Sequence, residues 1–178
     1  IKNVFSSSDT YGARIYYGRS FDFRNNIIEN ITSSAPTYGF YAYGYESDPC
    51  RDMRIDNNVF KNISGSGNVY GLYFLYTKNS KITNNIFENI RQTSGSASNF
   101  ADGIHIDGNS DSTYIANNVI AGVFASSNKS AAGYIQSGIK LNKSKGHRVY
   151  FNSVNLFGDN QGRDPSAGIS SAITMVSD

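Results

Sequence analysis

Tryptophan is absent from this chain, and cysteine appears once, as Cys50. A lone cysteine allows no internal disulfide, and no Cys/His spacing matches a zinc site. Cys50 reads as a small, partly buried hydrophobe in a turn. Charge is scarce as well: 16 Lys and Arg face 14 Asp and Glu, for a net charge of +2. The basic residues look scattered rather than blocked, so the composition carries no nucleic-acid footprint and predicts no nucleic-acid partner. No apolar run approaches the length of a membrane span. No segment sustains the three-to-four-residue spacing of an amphipathic helix.

What is abundant is Gly, Tyr, Ser and Asn, with 17 Gly and 13 Tyr in 178 residues. That usage suits an extracellular or cell-surface protein. The Asn residues come in a repeated phrase. Phe23-Arg24-Asn25-Asn26-Ile27-Ile28-Glu29-Asn30-Ile31 returns as Ile55-Asp56-Asn57-Asn58-Val59-Phe60-Lys61-Asn62-Ile63. It returns again from Ile82 to Ile90 and from Ile115 to Val123, and a degenerate copy runs Tyr150-Phe151-Asn152-Ser153-Val154. The first Asn steps from 25 to 57, 84, 117 and 152. A period near thirty residues marks a solenoid, in which each unit buries its apolar face only against its neighbours.

A second phrase, Gly-apolar-x-apolar, keeps phase with the first. It begins at Gly39, Gly71, Gly103, Gly138 and Gly168, with a rougher copy at Gly12. Each unit therefore holds two strand-like segments with period-two alternation. The expectation is an all-β protein, one domain over 1–178: a right-handed parallel β-helix (solenoid) of about five coils, on the order of 25 Å tall at ~4.8 Å per coil. Phe40, Leu72, Ile104, Ile139 and Ile169 are expected to form one core column, and Ile27, Val59, Ile86, Val119 and Val154 another. Asn26, Asn58, Asn85 and Asn118 are expected to stack as a structural ladder, because Asn tolerates tight corners and its amide both donates and accepts. Asn30, Asn62 and Asn89 suggest a second ladder.

The paired motif resembles the right-handed parallel β-helix repeat of the pectin-lyase-like superfamily. The resemblance covers nearly the whole chain. It implies the fold and leaves activity open, since that superfamily spans lyases, hydrolases, epimerases, tailspikes, adhesins and surface proteins without known catalysis. The opening Ile1–Phe5 resembles the end of an Asn repeat, and Ile173–Val176 is strand-like without a polar cap. Both suggest a fragment of a longer solenoid or a unit stacked on neighbours, with self-association through the solenoid ends into a fibre as one outcome.

Alternation assigns the outer face of the Gly strand to residues two and four past the Gly. One column reads Arg14, Tyr41, Tyr73, His105, Lys140, and the other Tyr16, Tyr43, Leu75, Asp107, Asn142. Tyr41, Tyr43 and Tyr73, with Arg14 and Asn142, are the candidate ligand-binding set, because a phenol offers a sugar both an apolar face and a hydroxyl. The alternative is that outward Tyr residues cover a β surface and stack on one another. Asp102, His105, Asp107 and Lys140 are the candidate catalytic set: glycosidases need two carboxyl groups across the scissile bond. Asp102-Gly103-Ile104-His105 is similar to the Asp-Gly-Ile-His stretch of polygalacturonases, which implies Asp102 as the matching catalytic residue. The Asp-Asp pair, Gly-His-Gly and Arg-Ile-Lys of that family are missing. No cofactor and no metal site is expected. Glu46, Asp48 and Asp52 form an acidic turn for which calcium is the one candidate ion, although the turn lacks a dedicated loop spacing. Three functions follow: a structural or polysaccharide-contacting module, a polysaccharide lyase or hydrolase acting on an acidic glycan, or a self-assembling extracellular fibre subunit.

Overall fold

The computed structural model describes residues 1–94, 96, 98–126, 134–156 and 169–176. These residues form an all-β protein built of parallel sheets, with no helix among them. Copies of the Asn phrase make one six-stranded sheet, here the asparagine sheet: Lys2–Ser6, Ile27–Ser33, Val59–Gly65, Ile86–Gln92, Val119–Ala125 and Ser153–Asn155. Copies of the Gly phrase make a second, the glycine sheet: Thr10–Tyr16, Thr37–Tyr43, Val69–Leu75, Ala101–Asp107, Tyr134–Asn142 and Ile169–Val176. A short sheet precedes each Asn pair: Asp22–Arg24, Arg54–Asp56, Lys81–Thr83, Tyr114–Ala116 and Arg148–Tyr150. Cys50–Arg51 and Thr77–Lys78 pair separately. Within every sheet each strand pairs with its copy one repeat on.

The Asn pairs make the corner between the short and asparagine sheets. The first Asn is left-handed, with φ between 55° and 60° at Asn25, Asn57, Asn84 and Asn117. Asn tolerates that region because its short side chain bonds locally. The second Asn turns inward. Asn58, Asn85 and Asn118 are buried, and each accepts, on its Oδ1, both the backbone N–H and the amide of the Asn in the preceding repeat. Asn152 continues the series at 3.0 and 2.9 Å, so it holds the place of a second Asn, and left-handed Phe151 holds the place of the first. The second expected ladder also forms, with Asn62 donating to Asn30 and Asn89 to Asn62.

Two expected core columns are corrected. Ile27, Ile86 and Val119 lie outside, at 49%, 42% and 44% exposure. The core takes the next residues instead: Ile28, Phe60, Phe87 and Ile120, with Val154 paired to Ile120. The cause is local. Asn30, Asn62, Asn89 and Gly122 have φ of 54–68°, which breaks the two-residue alternation and points both Ile28 and Ile31 inward. Phe60 and Phe87 stack at 4.8 Å and 6° within this core. In the glycine sheet Ile139 pairs with Ile173, not Ile169, so the last strand lies four residues out of the expected register there, and a further irregularity falls between Tyr134 and Gln136. The remaining column, Ala13, Phe40, Leu72, Ile104 and Ile139, pairs in register as expected.

The Gly column has a steric cause. A Cβ on Gly71 would sit 2.5 Å from the Gly103 carbonyl oxygen and 2.6 Å from Phe87. The same clash recurs at Gly12, Gly39, Gly103 and Gly138, so the glycine sheet can lie this close to the asparagine sheet only without a side chain there.

Candidate functional site

The three outer columns of the glycine sheet pair in the expected register. Tyr11, Tyr38 and Tyr70 lead to Asp102 and Ser137. Arg14, Tyr41 and Tyr73 lead to His105 and Lys140, and Tyr16, Tyr43 and Leu75 to Asp107 and Asn142. Identical rings one strand apart then stack on each other. Tyr11–Tyr38 and Tyr38–Tyr70 both lie at 4.9 Å and 9°, and Tyr41–Tyr73 at 5.4 Å and 6°. The Arg14 guanidinium lies 4.3 Å from the centroids of Tyr11 and Tyr16.

This stacking changes what the tyrosines can do. The faces of Tyr41 and Tyr73 are turned to one another, so their edges rather than their planes reach outward. Burial pushes the Tyr38 phenol up to about 12, and burial moves Tyr41, Tyr70 and Tyr73 upward as well. These phenols stay neutral near pH 7, where none can act as a general base.

A different set is more exposed. Tyr16, Tyr17 and Tyr45 are 45%, 41% and 50% exposed. They join Tyr43 through edge-on and tilted contacts: Tyr16–Tyr43 at 5.5 Å and 81°, Tyr43–Tyr45 at 5.2 Å and 77°, and Tyr17–Tyr45 at 5.6 Å and 51°. Beside them is a shallow cleft of about 600 Å³ lined by Tyr43, Tyr45, Glu46, Ser47 and Tyr76. Sequence reasoning set Tyr16 and Tyr43 in one outer column and named only Tyr43 of this group as ligand-binding. Tyr17 and Tyr45 lie outside both repeated phrases, and their shared position emerges only when the strand ends converge.

The four candidate catalytic residues do come together, but not on an open face. Asp102 is fully buried and His105 is 3% exposed. Both sit on the outer side of the glycine sheet, where a second aromatic layer covers the imidazole: Tyr73 edge-on at 5.0 Å, Tyr70 at 5.4 Å and Phe100 at 6.0 Å. The expectation of an exposed His105 is corrected by that layer. His105 Nδ1 lies 2.8 Å from Asp102 Oδ2, and Nε2 lies 3.7 Å from Asp107 Oδ2. The Nδ1 contact is close but misaligned, and neither Asp102 oxygen has a hydrogen-bond partner among the described residues.

Asp107 differs, being fully engaged. It accepts from the Tyr73 hydroxyl at 3.0 Å, the Asn142 amide at 2.8 Å and the Gly108 N–H at 2.7 Å. Lys140 Nζ lies 4.3 Å from the Phe100 ring centroid. Arg14 and Asn142 are likewise committed to protein partners. The acidic turn is dispersed: Asp48 pairs with Arg19 and Arg51, and Glu46 accepts from Asn109. No three acidic, His or Cys side chains converge as a metal set among the described residues.

Compared with known proteins, the chain matches no family model, no curated protein and no solved structure.

Proposed function

We propose that this chain is a right-handed parallel β-helix of about five coils, of the pectin-lyase-like kind, serving as a structural and carbohydrate-contacting module of a secreted or cell-surface protein. The in-register pairing of each repeat with the next, in three sheets, supports the solenoid. The observation that carries the contact role is the cluster of Tyr16, Tyr17, Tyr43 and Tyr45 beside its cleft. Exposed phenols, each with an apolar ring and a hydroxyl edge, suit a pyranose, which offers apolar C–H faces and equatorial hydroxyls. The test is a glycan array probed with the wild type and with Tyr45→Ala. Binding that drops on substitution supports the reading, and an array blank at millimolar glycan sinks it.

A second reading, a lyase or hydrolase acting on an acidic glycan, draws on the bare Asp102 carboxylate beside His105. Burial of both groups weighs against it, since an acid or base must reach the proton it moves. New reducing ends or ultraviolet-absorbing unsaturated product from a polyuronate, lost in Asp102→Asn, would favour it.

A further inference from the structure

We propose that a second site, adjoining the tyrosine cleft at Glu46 and Tyr76, binds a sulfated polysaccharide through two rows that carry cations. The rows arise from a four-residue corner repeated in each unit: Arg19-Ser20-Phe21-Asp22, Arg51-Asp52-Met53-Arg54, Lys78-Asn79-Ser80-Lys81, Asp111-Ser112-Thr113-Tyr114 and Lys145-Gly146-His147-Arg148. The second residue of each is left-handed, with φ of 49°, 55°, 51°, 55° and 67°. The third turns inward, and Met53, Ser80 and Thr113 are buried. The first and fourth are therefore thrown outward on either side of a sharp bend.

Pairing stacks these positions into two rows. One runs Arg19, Arg51, Lys78, Asp111, Lys145, and the other Asp22, Arg54, Lys81, Tyr114, Arg148. Successive members are one strand apart, about 4.8 Å. At the Arg19 end the cations are already neutralised, Arg19 and Arg51 by Asp48 and Arg54 by Asp56. Further along they are not. Among the described residues Lys78, Lys81, Lys145 and Arg148 have no carboxylate partner, and all four are exposed.

Two clefts flank these four. One, of about 500 Å³, is bordered by Lys78, Lys145, Asn109 and Ser144. The other, of about 340 Å³, is bordered by Lys81, Arg148, Ser112 and Tyr114. Glu46 and Asp111 also line the first, where they offset two of its three lysines, Lys78, Lys143 and Lys145.

The chemistry of the row selects the partner. Single-stranded nucleic acid needs a series of aromatic platforms beside its cations, and here the rows themselves hold a single aromatic residue, Tyr114, while the stacked tyrosine columns belong to the glycine sheet. A planar carboxylate is best met by the two-pronged guanidinium, yet three of the four free cations are ammonium groups. A sulfate ester presents three terminal oxygens in a tetrahedral array, which an ammonium group meets without a planar fork; Lys78 and Lys81 stand on either side of one corner, with Lys145 and Arg148 two strands on. Serine hydroxyls and the Asn109 amide in the clefts suit the sugar hydroxyls between such esters.

The experiment is binding to dextran sulfate, with uncharged dextran, polygalacturonate, polyphosphate and a single-stranded oligonucleotide beside it, over a salt series. Wild type should bind dextran sulfate and not dextran. Lys78→Gln/Lys81→Gln should weaken binding roughly tenfold and lower the slope of log K against log salt by about two, since each lost contact removes about one released counterion. Lys2→Gln/Lys61→Gln changes the net charge equally on the asparagine sheet and should bind as wild type. Equal loss in that control overturns the proposal, as do absence of binding at low salt or binding of any other polyanion as tight as dextran sulfate. Tyr45→Ala should leave this binding intact, so failure here and failure of the tyrosine contact are told apart.

Discussion

Replacing Asn85 by Ala tests the ladder at its most buried point. Asn85 makes four side-chain hydrogen bonds. Its Nδ2 donates to the Ile55 carbonyl at 2.9 Å and to Asn118 Oδ1 at 3.0 Å, and its Oδ1 accepts from the Asn58 backbone N–H and from Asn58 Nδ2, each at 3.0 Å. The losses differ in weight. Asn58 Nδ2 keeps its bonds to Phe23 and Asp56 carbonyls, and Asn118 Oδ1 keeps the Asn85 backbone N–H. The Asn58 N–H and the Ile55 carbonyl lose these partners in a dry interior. At ~1–3 kcal/mol for each buried group left unsatisfied, the expected destabilisation is about 3–5 kcal/mol. Asn26→Ala is the internal reference. Asn26 only donates, to Arg24 at 2.9 Å and to Asn58 at 3.2 Å, near solvent, so its loss should be about 1 kcal/mol. Urea denaturation at fixed pH, with matching m-values, gives both numbers. Equal destabilisation of the two variants, or a loss under 1 kcal/mol at Asn85, would refute the reasoning.

Three further outcomes follow from the packing. Phe87→Ala should cost about 3–5 kcal/mol and Ile86→Thr no more than about 0.5 kcal/mol, a contrast that chemical denaturation reads directly and that reverses if the outward assignment of Ile86 is wrong. Gly71→Ala, with its Cβ driven against the Gly103 carbonyl and Phe87, should destabilise by roughly 1–3 kcal/mol, and a neutral result would discredit the close approach of the sheets. His147 is held below its ordinary value by burial, and its Nδ1 accepts the Thr113 N–H at 3.1 Å. The unfolded chain then binds the proton more readily, so the contribution of His147 is complete above its unfolded pKa near 6.5 and declines as pH falls through that value. His147→Asn, which keeps an acceptor for Thr113, should lose that part of the pH dependence in thermal melts between pH 7 and 5, and an unchanged profile would count against it.

How much of this was legible beforehand depends on how each feature is written in the residues. The register of the glycine sheet was readable as far as Gly138, because the Gly recurs where two sheets nearly touch, and it failed at the last strand, where Ala172 rather than a Gly lies against Gly138. The Asn26–Asn118 series was readable because a ladder needs the same side chain in every coil. The inward column of the asparagine sheet was not, because Asn30, Asn62 and Asn89 act as left-handed hinges inside a strand, and alternation counted through them misplaces Ile27 and Ile86. Burial of His105 was hidden for another reason: Phe100, which covers it, lies before the Gly phrase and follows no repeat. The cation rows escaped notice because their members vary among Arg, Lys and Asp. The constant element is a left-handed residue one place further on, which only backbone geometry reveals.

The ladders have a further property, an electrical one. Along Asn26, Asn58, Asn85 and Asn118 each amide donates to the Asn of the higher-numbered repeat, and from Asn58 on it also donates to a backbone carbonyl of the lower one. Along Asn3, Asn30, Asn62 and Asn89 every amide donates toward the lower, as Asn57 does to Asn25. Aligned amides add their moments as peptide units do in a helix, so each ladder alone would leave opposite partial charges at its two ends, growing with every coil. Set in opposition, the inner and outer series offset one another along the axis. A stack of this kind can gain repeats, and the hydrogen bonds that come with them, without accumulating a dipole that its ends would have to discharge.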